Sequence, residues 1–199
     1  MIMIDLETLG LRLGAKIITI GWCAFNWEDT TESGTILIDG KDGQIDFDTV
    51  KFWLQQSPEA IAKTFFRNEP GMPLKEAVEE VRRLVILHGQ DGVWANGPLF
   101  DLAHLEHWDF YSTSGPLWSH RLPRCYRTIM AVAEDVGFDR ETEHERIRRQ
   151  FIVTEHDAES DSIVQARLVI AARNYLVQSH LADAAKVPEQ YPRDAIDAG

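Results

Sequence analysis

Two carboxylates, those of Asp5 and Glu7, directly follow an apolar run at residues 1–4. Alternate residues of a β-strand point to the same face, so a strand here would place the two side chains next to each other. Adjacent carboxylates raise each other's pKa unless a positive charge lies between them, and hard divalent cations prefer carboxylate oxygens as ligands. A solvated strand end shows the same pattern, so the choice between the two interpretations depends on positions further along the chain.

Three more residues that suit such chemistry lie far from this pair in sequence. Asp101 follows Asn96 and Phe100 at the start of a predicted helix, directly after a short apolar strand. His156 precedes the last predicted helix, and Asp161 lies about one turn inside it. Hydrolysis of a phosphodiester by two metal ions needs acids that hold cations about 3.5–4 Å apart and a base that works near neutral pH. Four carboxylates and one histidine therefore indicate metal-dependent phosphodiester hydrolysis.

The elements that must position these residues are predicted from hydrophobic periodicity and from turn residues. The predicted strands cover the start of the chain as far as the acidic pair, then residues 16–27, 34–39 and 92–96, with a polar turn at residues 28–33. The predicted helices cover residues 48–56, a segment from Ser57 with Pro58 in its first turn, and residues 74–89, 99–110, 123–136 and 158–178. Residues 139–154 are strongly charged and receive no assignment.

This order of elements predicts an α/β fold on a mixed sheet, an antiparallel meander plus parallel strands, flanked by helices. A chain of 199 residues that is 44% hydrophobic is long enough for one sizeable core, which we place at residues 1–180 with a C-terminal tail at 181–199. No apolar run has the length of a membrane span, and Cys23 and Cys125 form neither a disulfide framework nor a zinc-ligand pattern. We therefore expect a cytoplasmic protein without a membrane partner.

The formal net charge of −12 disfavours loose binding to nucleic acid or to anionic membranes. It is compatible with a nucleic-acid enzyme whose phosphate contacts run through bound metal ions. Arg121, Arg124 and Arg127 lie in an acid-free stretch, residues 119–131. We predict that this stretch contacts the phosphate backbone of a nucleic acid. The alternation of basic and acidic residues in a later stretch instead predicts a surface helix with internal ion pairs. That stretch contains Glu143, Glu145, Arg146, Arg148 and Arg149.

Other conspicuous residues receive structural interpretations. Asp157, beside the candidate base, is predicted to cap the last helix. His104 and His107 lack the His-Glu-x-x-His order of zinc peptidases and are predicted to form a polar helix face without further function. Trp53 and Trp94 are predicted to lie in the core.

The combined motifs resemble those of the DEDD exonuclease superfamily. They are Asp5-x-Glu7, Asn96-x-x-x-Phe100-Asp101 and His156-x-Ala158-x-x-Asp161. A histidine five residues before the last aspartate is typical of the DEDDh branch. The segment Trp53-x-x-Gln56-Ser57-x-Glu59-Ala60 is similar to one found in a subgroup of bacterial and phage proteins. That subgroup contains exonuclease VIII-type and phage exonuclease A-type nucleases and a mycobacterial-type 3′–5′ exoribonuclease.

The resemblance implies a ribonuclease H-like fold and a 3′–5′ exonuclease that acts on single-stranded RNA or DNA and releases nucleoside monophosphates. It implies two Mg²⁺ or Mn²⁺ ions as cofactors, and a homodimer is the assembly seen in relatives. The implied metal ligands are Asp5, Glu7, Asp101 and Asp161, and His156 is the implied general base. The implied substrate contacts are Thr8, Leu9, Asn96 and Phe100, to which the acid-free stretch adds Arg124 and Arg127. The resemblance leaves the choice between RNA and DNA open.

One departure from the subgroup is visible. The subgroup usually carries Arg-Asp-x-Arg-Thr before its late helix, and this chain has Cys125 at the position of that aspartate. We assign no function to this residue. The alternative hypothesis is a catalytically silent exonuclease-like module that binds nucleic acid or protein. The presence of all five candidate catalytic residues favours an active enzyme.

Overall fold

The computed structural model describes residues 1–66, 68–109, 115–150 and 156–184, without the side chains of 183 and 184. Its strands are β1 (Ile2–Thr8), β2 (Ile17–Phe25), β3 (Thr30–Asp39), β4 (Met72–Pro73), β5 (Val93–Ala95) and β6 (Pro123–Cys125). Its helices are α1 (Phe47–Leu54), α2 (Pro58–Phe65), α3 (Leu74–His88), α4 (Asp101–Asp109), α5 (Tyr126–Asp135), α6 (Arg140–Gln150) and α7 (Ala158–Ala184). The tail predicted at residues 181–199 lies outside the described residues from 185 onward, so the division of the chain stays a prediction.

The six strands form one mixed sheet in the order β4-β3-β2-β1-β5-β6. Strands β1, β2 and β3 form the predicted antiparallel meander. Strand β5 runs parallel to β1, β6 runs parallel to β5, and β4 runs parallel to the end of β3. The predicted α/β class with a mixed sheet is confirmed.

The third strand begins earlier than predicted. Residues 30–33 were assigned to a polar turn, but Ser33 pairs with Cys23 and Thr30 pairs with Phe25 as part of β3. The turn lies before them, where the Asn26 side chain accepts hydrogen bonds from the backbone N–H groups of Glu28 and Asp29. The error arose because most of these strand residues are solvent-exposed, so their polarity resembles that of a turn.

Residues 123–125 were predicted as the start of a helix and are instead strand β6. Pro123 pairs with Val93 and Cys125 pairs with Ala95, and helix α5 begins only at Tyr126. Proline is tolerated as the first residue of an edge strand because the missing N–H faces no partner there. A strand of three residues is too short to show an alternating pattern, so the sequence signal was that of the following helix.

The stretch that received no assignment contains helix α6. Two of the predicted ion pairs are present, between Arg146 and Glu143 and between Arg149 and Glu145. Residues 151–154 of that stretch lie outside the described residues. At the other helix boundaries, α4 begins at Asp101, two residues later than predicted, and α7 continues to Ala184.

The two faces of the sheet carry two separate apolar cores. Ile2, Ile4 and Leu6 of β1 pack with residues of α3 and α4 on one face. Met3 packs with residues of α5, α6 and α7 on the other face. Because side chains alternate along a strand, Asp5 and Glu7 project on the same face as Met3. The fold therefore directs both carboxylates toward α7.

Helix α7 approaches the sheet very closely at Gly21 of β2. A Cβ atom at this position would lie 2.0 Å from both the carbonyl carbon and the carbonyl oxygen of Ala158. Gly21 is the cross-strand partner of Asp5. The absence of a side chain at Gly21 thus allows the first turn of α7 to lie over the sheet directly beside Asp5. Among the helices of the described residues, none combines the length and the hydropathy that a membrane span requires.

Candidate active site

Four carboxylates from three elements meet on the α7 face of the sheet. Asp5 and Glu7 come from β1, Asp101 is the first residue of α4, and Asp161 lies in the first turn of α7. Glu7, Asp161 and His156 each offer a ligand atom, and these three atoms lie within 4.8 Å of one another. The structure thus brings together the four acids and the histidine that the sequence singled out.

Burial and mutual repulsion make the acidic cluster difficult to ionise fully. Burial raises the pKa of Asp5 well above its ordinary value, and the nearby charges of Asp101, Glu7 and Asp161 raise it further. Burial, followed by the charges of Asp161, Asp157 and Asp101, raises the pKa of Glu7 to about 8. Oxygen donors packed this closely in a buried position match the preference of hard divalent cations. The cluster therefore fits Mg²⁺ or Mn²⁺ as a ligand set.

Asp101 is held by the loop that connects β5 to α4. Its carboxylate accepts a hydrogen bond of 3.4 Å from the backbone N–H of Gly97, and only 4% of the residue is exposed. Burial raises the pKa of Asp101 to about 6, and hydrogen bonds from the backbone N–H groups of Gly97, Asp101 and Leu6 limit that rise. Backbone donors and the N-terminus of α4 thus orient this carboxylate.

His156 lies immediately before the cap of α7. Its backbone is in the left-handed region, with φ of 56°, and its carbonyl accepts a hydrogen bond from the Thr64 hydroxyl at 3.3 Å. Its ring contacts Phe52 and Trp53 edge-on, with centroid distances of 5.2 and 6.1 Å. Helices α1 and α2 thereby fix the position of the imidazole next to the acids.

The start of α7 is anchored by two acidic side chains that do not belong to the cluster. As predicted, Asp157 caps the helix, because its carboxylate accepts hydrogen bonds from the backbone N–H and the hydroxyl of Ser160. Glu159 accepts hydrogen bonds from the Ser33 and Thr35 hydroxyls of β3, at 2.8 and 3.0 Å. Nothing in the sequence pointed to Glu159, because its partners lie on a strand far away in the chain.

Gln165 is a second residue that sequence reasoning missed. It lies on α7, four residues after Asp161, and its Nε2 donates a hydrogen bond of 2.9 Å to Oδ1 of Asp5. Side chains four residues apart on a helix share a face. A polar residue at this spacing in an otherwise apolar helix stripe was therefore the signal that could have identified it.

Two adjoining cavities extend from the acidic cluster. They share Leu6, Phe52, Phe100 and His156. The first has a volume of about 450 Å³, and its lining also includes Glu7, Thr8, Leu11, Asp46, Asp48, Thr49 and Trp53. The second has a volume of about 840 Å³, and its lining also includes Asp5, Asn96, Gly97, Pro98, Leu99, Asp101, Cys125 and Arg127. Together they form a cleft with acidic, aromatic and aliphatic walls.

The predicted substrate contacts fall into two groups. Thr8, Phe100, Asn96 and Arg127 line the cleft, and Arg127 Nε donates a hydrogen bond of 3.2 Å to Asn96 Oδ1. Leu9 and Arg124 are not among the described residues that line either cavity. The guanidinium of Arg124 instead donates to the carbonyls of Arg121 and Pro123. Cys125, which received no function, lines the second cavity.

One interpretation from the sequence is wrong. His104 was predicted to lie on a polar helix face, but only 1% of it is exposed. Its Nδ1 lies 2.8 Å from the carbonyl oxygen of Phe100, and its Nε2 lies 3.0 Å from that of Arg12. The residue therefore connects α4 to the loop after β1, because the fold offers two buried carbonyls there. The prediction that Trp53 is buried is confirmed, and its indole N–H donates to the carbonyl of Thr8.

Three solved structures share the fold of this chain. The nuclease domain of 3′hExo, a DEDDh family member solved with bound rAMP, has a TM-score of 0.55 at 12% identity, over 89% of this chain and 91% of that one. Cell-death related nuclease 4 (CRN-4) has a TM-score of 0.53 at 12% identity, over 87% of this chain and 63% of that one. Exonuclease X in complex with 5′ overhanging duplex DNA has a TM-score of 0.50 at 14% identity, over 87% and 90%. These likenesses confirm the ribonuclease H-like fold.

Comparison with curated proteins gave no match. A family model, described as the 3′-5′ exoribonuclease Rv2179c-like domain, matches residues 1–172. The match includes every strand of the sheet and all five residues of the acidic and histidine cluster. The chain therefore belongs to the Rv2179c-like family of 3′-5′ exoribonuclease domains and is a 3′-5′ exonuclease.

Proposed function

We propose that the chain removes nucleoside monophosphates from the 3′ end of single-stranded RNA or DNA, with two Mg²⁺ or Mn²⁺ ions as cofactors. The observation that carries this proposal is the convergence of Asp5, Glu7, Asp101 and Asp161 with His156 in one cluster beside the cleft. The ligands named for two of the structural neighbours, rAMP and duplex DNA, support nucleic acid as the substrate class. A homodimer and a cytoplasmic location are further proposals, which rest on the sequence alone.

The four carboxylates would hold the cations. The raised pKa values of Asp5, Glu7 and Asp101 mean that a cation and a proton compete for the same oxygens, so cation binding favours the ionised cluster. When bound, Mg²⁺ or Mn²⁺ supplies stabilisation of the attacking and leaving oxygens of the phosphodiester and makes the attacking water more acidic.

His156 would accept the proton of the attacking water. An imidazole titrates near neutral pH, which suits a general base, and the ring is held edge-on by Phe52 and Trp53. The adjacent carboxylates of Glu7 and Asp161 would stabilise the imidazolium that forms. The positions of these groups thus match what removal of a proton from water requires.

The rest of the cleft would bind the 3′ end. Thr8, Phe52 and Phe100 would contact the terminal nucleoside in the first cavity, and apolar and aromatic side chains bind every base in a similar way. In the second cavity, the hydrogen-bonded pair of Arg127 and Asn96 offers N–H donors to a phosphate. Discrimination between RNA and DNA requires a contact with the 2′-hydroxyl.

The deciding experiment uses matched RNA and DNA oligonucleotides, each labelled once at the 5′ end and once at the 3′ end. With Mg²⁺ or Mn²⁺, we expect a ladder from the 5′-labelled strand and labelled mononucleotide from the 3′-labelled one. Asp161→Asn should abolish both while the circular dichroism spectrum stays unchanged. Shortening from the 5′ end would contradict the proposal, and tight binding without any cleavage by the wild type would support the silent binding module instead.

His156→Ala tests the assignment of the base. We expect kcat to fall by about 10²–10⁴-fold, because general-base catalysis typically contributes that much. The calorimetric affinity for Mn²⁺ should remain close to that of the wild type. His180→Ala, an exposed histidine on the same helix, is the matched control and should retain full activity. Loss of Mn²⁺ binding in His156→Ala would make this residue a metal ligand, and full activity would remove it from the mechanism.

A further inference from the structure

Gln165 is a buried polar residue that the proposed mechanism does not use. Only 9% of it is exposed, and its neighbours on α7 include the buried apolar residues Val164, Ala166, Leu168 and Val169. Its Nε2 donates to Oδ1 of Asp5 at 2.9 Å. Its Oε1 is also buried and has no hydrogen-bond donor among the residues that the structure describes.

The unpaired carbonyl oxygen of this amide is a cost to the stability of the fold. A buried carbonyl oxygen without a donor has lost its hydrogen bonds to water and gained none in return. A methionine or a leucine of similar volume would fill the same space without that penalty. The hydrogen bond that Gln165 does make is donated to a carboxylate of the acidic cluster. We therefore attribute the presence of an amide here to the site and not to packing of the core.

Asp5 differs from Asp101 in how its carboxylate is oriented. Asp101 is held by the backbone N–H of Gly97 at the start of its own helix. Asp5 lies in the middle of β1, where it pairs with Gly21 of β2, and the backbone N–H of the next residue, Leu6, is directed at Asp101. The donor that fixes its carboxylate is therefore a side chain from another element, Gln165 of α7.

We propose that Gln165 is a positioning residue that holds the carboxylate of Asp5 in the orientation that cation binding requires. This inference rests on the proposed function. The hydrogen bond restrains rotation of the carboxylate and uses one lone pair of Oδ1, which leaves the other lone pairs of the carboxylate for a cation. Because Asp161 lies one turn earlier on the same helix face, the bond also fixes α7, and with it Asp161, relative to β1.

The test compares Gln165→Met with Leu168→Met, a substitution of another buried residue on the same helix. For Gln165→Met we expect the affinity for Mn²⁺, measured by calorimetry, to fall about 10–100-fold, as is typical when a hydrogen-bond partner of a metal ligand is removed. Its melting temperature in EDTA should stay within about 4 °C of the wild-type value, because relief of the unpaired Oε1 and loss of the donor to Asp5 act in opposite directions. Leu168→Met should change the Mn²⁺ affinity by less than about twofold.

Gln165→Leu provides a second variant that also lacks the donor, and it should lose Mn²⁺ affinity to a similar extent. Mn²⁺ affinity within twofold of the wild type in both variants would overturn the inference. A fall in the EDTA melting temperature of well over about 4 °C that accompanies the loss of affinity would also overturn it, since the residue would then act through the stability of the fold. Wild-type protein that binds Mn²⁺ and cleaves no oligonucleotide would refute the proposed function instead. The comparison of Mn²⁺ affinities would still decide whether Gln165 positions Asp5.

Discussion

Three carboxyl groups of the cleft hold their protons more tightly than solvated carboxyl groups do. Burial raises the pKa of Asp5 well above its ordinary value, the pKa of Glu7 to about 8 and the pKa of Asp101 to about 6. Repulsion within the cluster adds to the effect for Asp5 and Glu7. Between the unfolded values near 4 and these folded values, the folded chain binds more protons than the unfolded chain. The free energy of unfolding must then decrease as the pH rises through that window.

We therefore predict that the protein in EDTA is less stable at pH 8 than at pH 5. The difference should be on the order of 3 kcal/mol, because one unit of pKa shift corresponds to about 1.4 kcal/mol and the groups are coupled. Urea unfolding at the two pH values measures it. Glu7→Gln should flatten the dependence and stabilise the protein at pH 8.

Glu28→Gln, which removes the same charge from an exposed position, is the control and should retain the wild-type pH dependence. Addition of Mn²⁺ at pH 8 should restore stability, because a bound cation favours the ionised cluster. Stability that rises from pH 5 to pH 8 in EDTA would contradict the argument from burial and repulsion.

At the residue scale, the sequence predicted which acids share a face but not what surrounds them. The spacing of Asp5 and Glu7 placed them side by side because alternation along a strand is a local property. The hydrogen bond from Gln165, the anchoring of Glu159 and the burial of His104 depend on side chains that meet only in the folded chain. The same limit applies to Leu9 and Arg124, whose predicted substrate contacts remain without support from the lining of the cleft.

At the scale of elements, the site depends on how closely α7 approaches the sheet. The point of closest approach is Gly21, where even a methyl group would overlap with the backbone of Ala158. Backbone atoms at this position cannot move without shifting the first turn of α7, which carries Asp161 and is preceded by His156. A small change in β2 should therefore have a large effect on the site.

We predict that Gly21→Ala destabilises the protein by about 2–4 kcal/mol, in the range of strongly overpacked core substitutions, and lowers kcat/KM by at least 10²-fold. Chemical denaturation and oligonucleotide turnover measure the two effects. Gly34→Ala on the neighbouring strand is the matched control, because the atoms nearest to its Cβ would be those of the Trp22 ring, at 3.0–3.1 Å. That ring is a side chain that can shift, so activity should remain near the wild-type value. Equal effects of the two substitutions would show that α7 is not seated as described.

The elements that were predicted correctly are those with a strong local hydrophobic pattern. The meander was predicted because β2 is long and rich in β-branched and aromatic residues, and α3 was predicted from its regular apolar stripe. Strands β4 and β6 have two and three residues, which is too short for any periodicity. Helix α6 buries only Ile147, so it lacks the stripe by which an amphipathic helix is identified. The charge alternation of α6 nevertheless predicted a surface helix with internal ion pairs, whereas the two short strands gave no local signal.

At the scale of the whole molecule, an acidic protein is proposed to act on a polyanion. The net charge of −12 repels nucleic acid at long range, and the cationic side chain that lines the described cleft is that of Arg127. Few phosphates are then neutralised by the protein itself, so few counterions are released on binding. The dependence of KM on salt should consequently be shallow.

We predict that a plot of log KM for a single-stranded oligonucleotide against log KCl concentration rises with a slope of about 0.7 for each phosphate contact. Arg127→Gln should reduce that slope by about 0.7, since it removes one such contact. Arg124→Gln is the control with the same change of charge, and it should leave the slope unchanged because its guanidinium is bound to backbone carbonyls. A reduced slope in the control and not in Arg127→Gln would place the phosphate path along β6 instead.

The contribution of α7 to the cluster has a consequence for protein synthesis. A ribosome delivers β1 with Asp5 and Glu7 first, and it delivers α7 with Asp161 only after every other strand and helix described here has emerged. Until α7 docks over Gly21, the proposed cation ligands are incomplete. A nascent chain should therefore lack the proposed metal-dependent nuclease activity until α7 has left the exit tunnel and docked on the sheet.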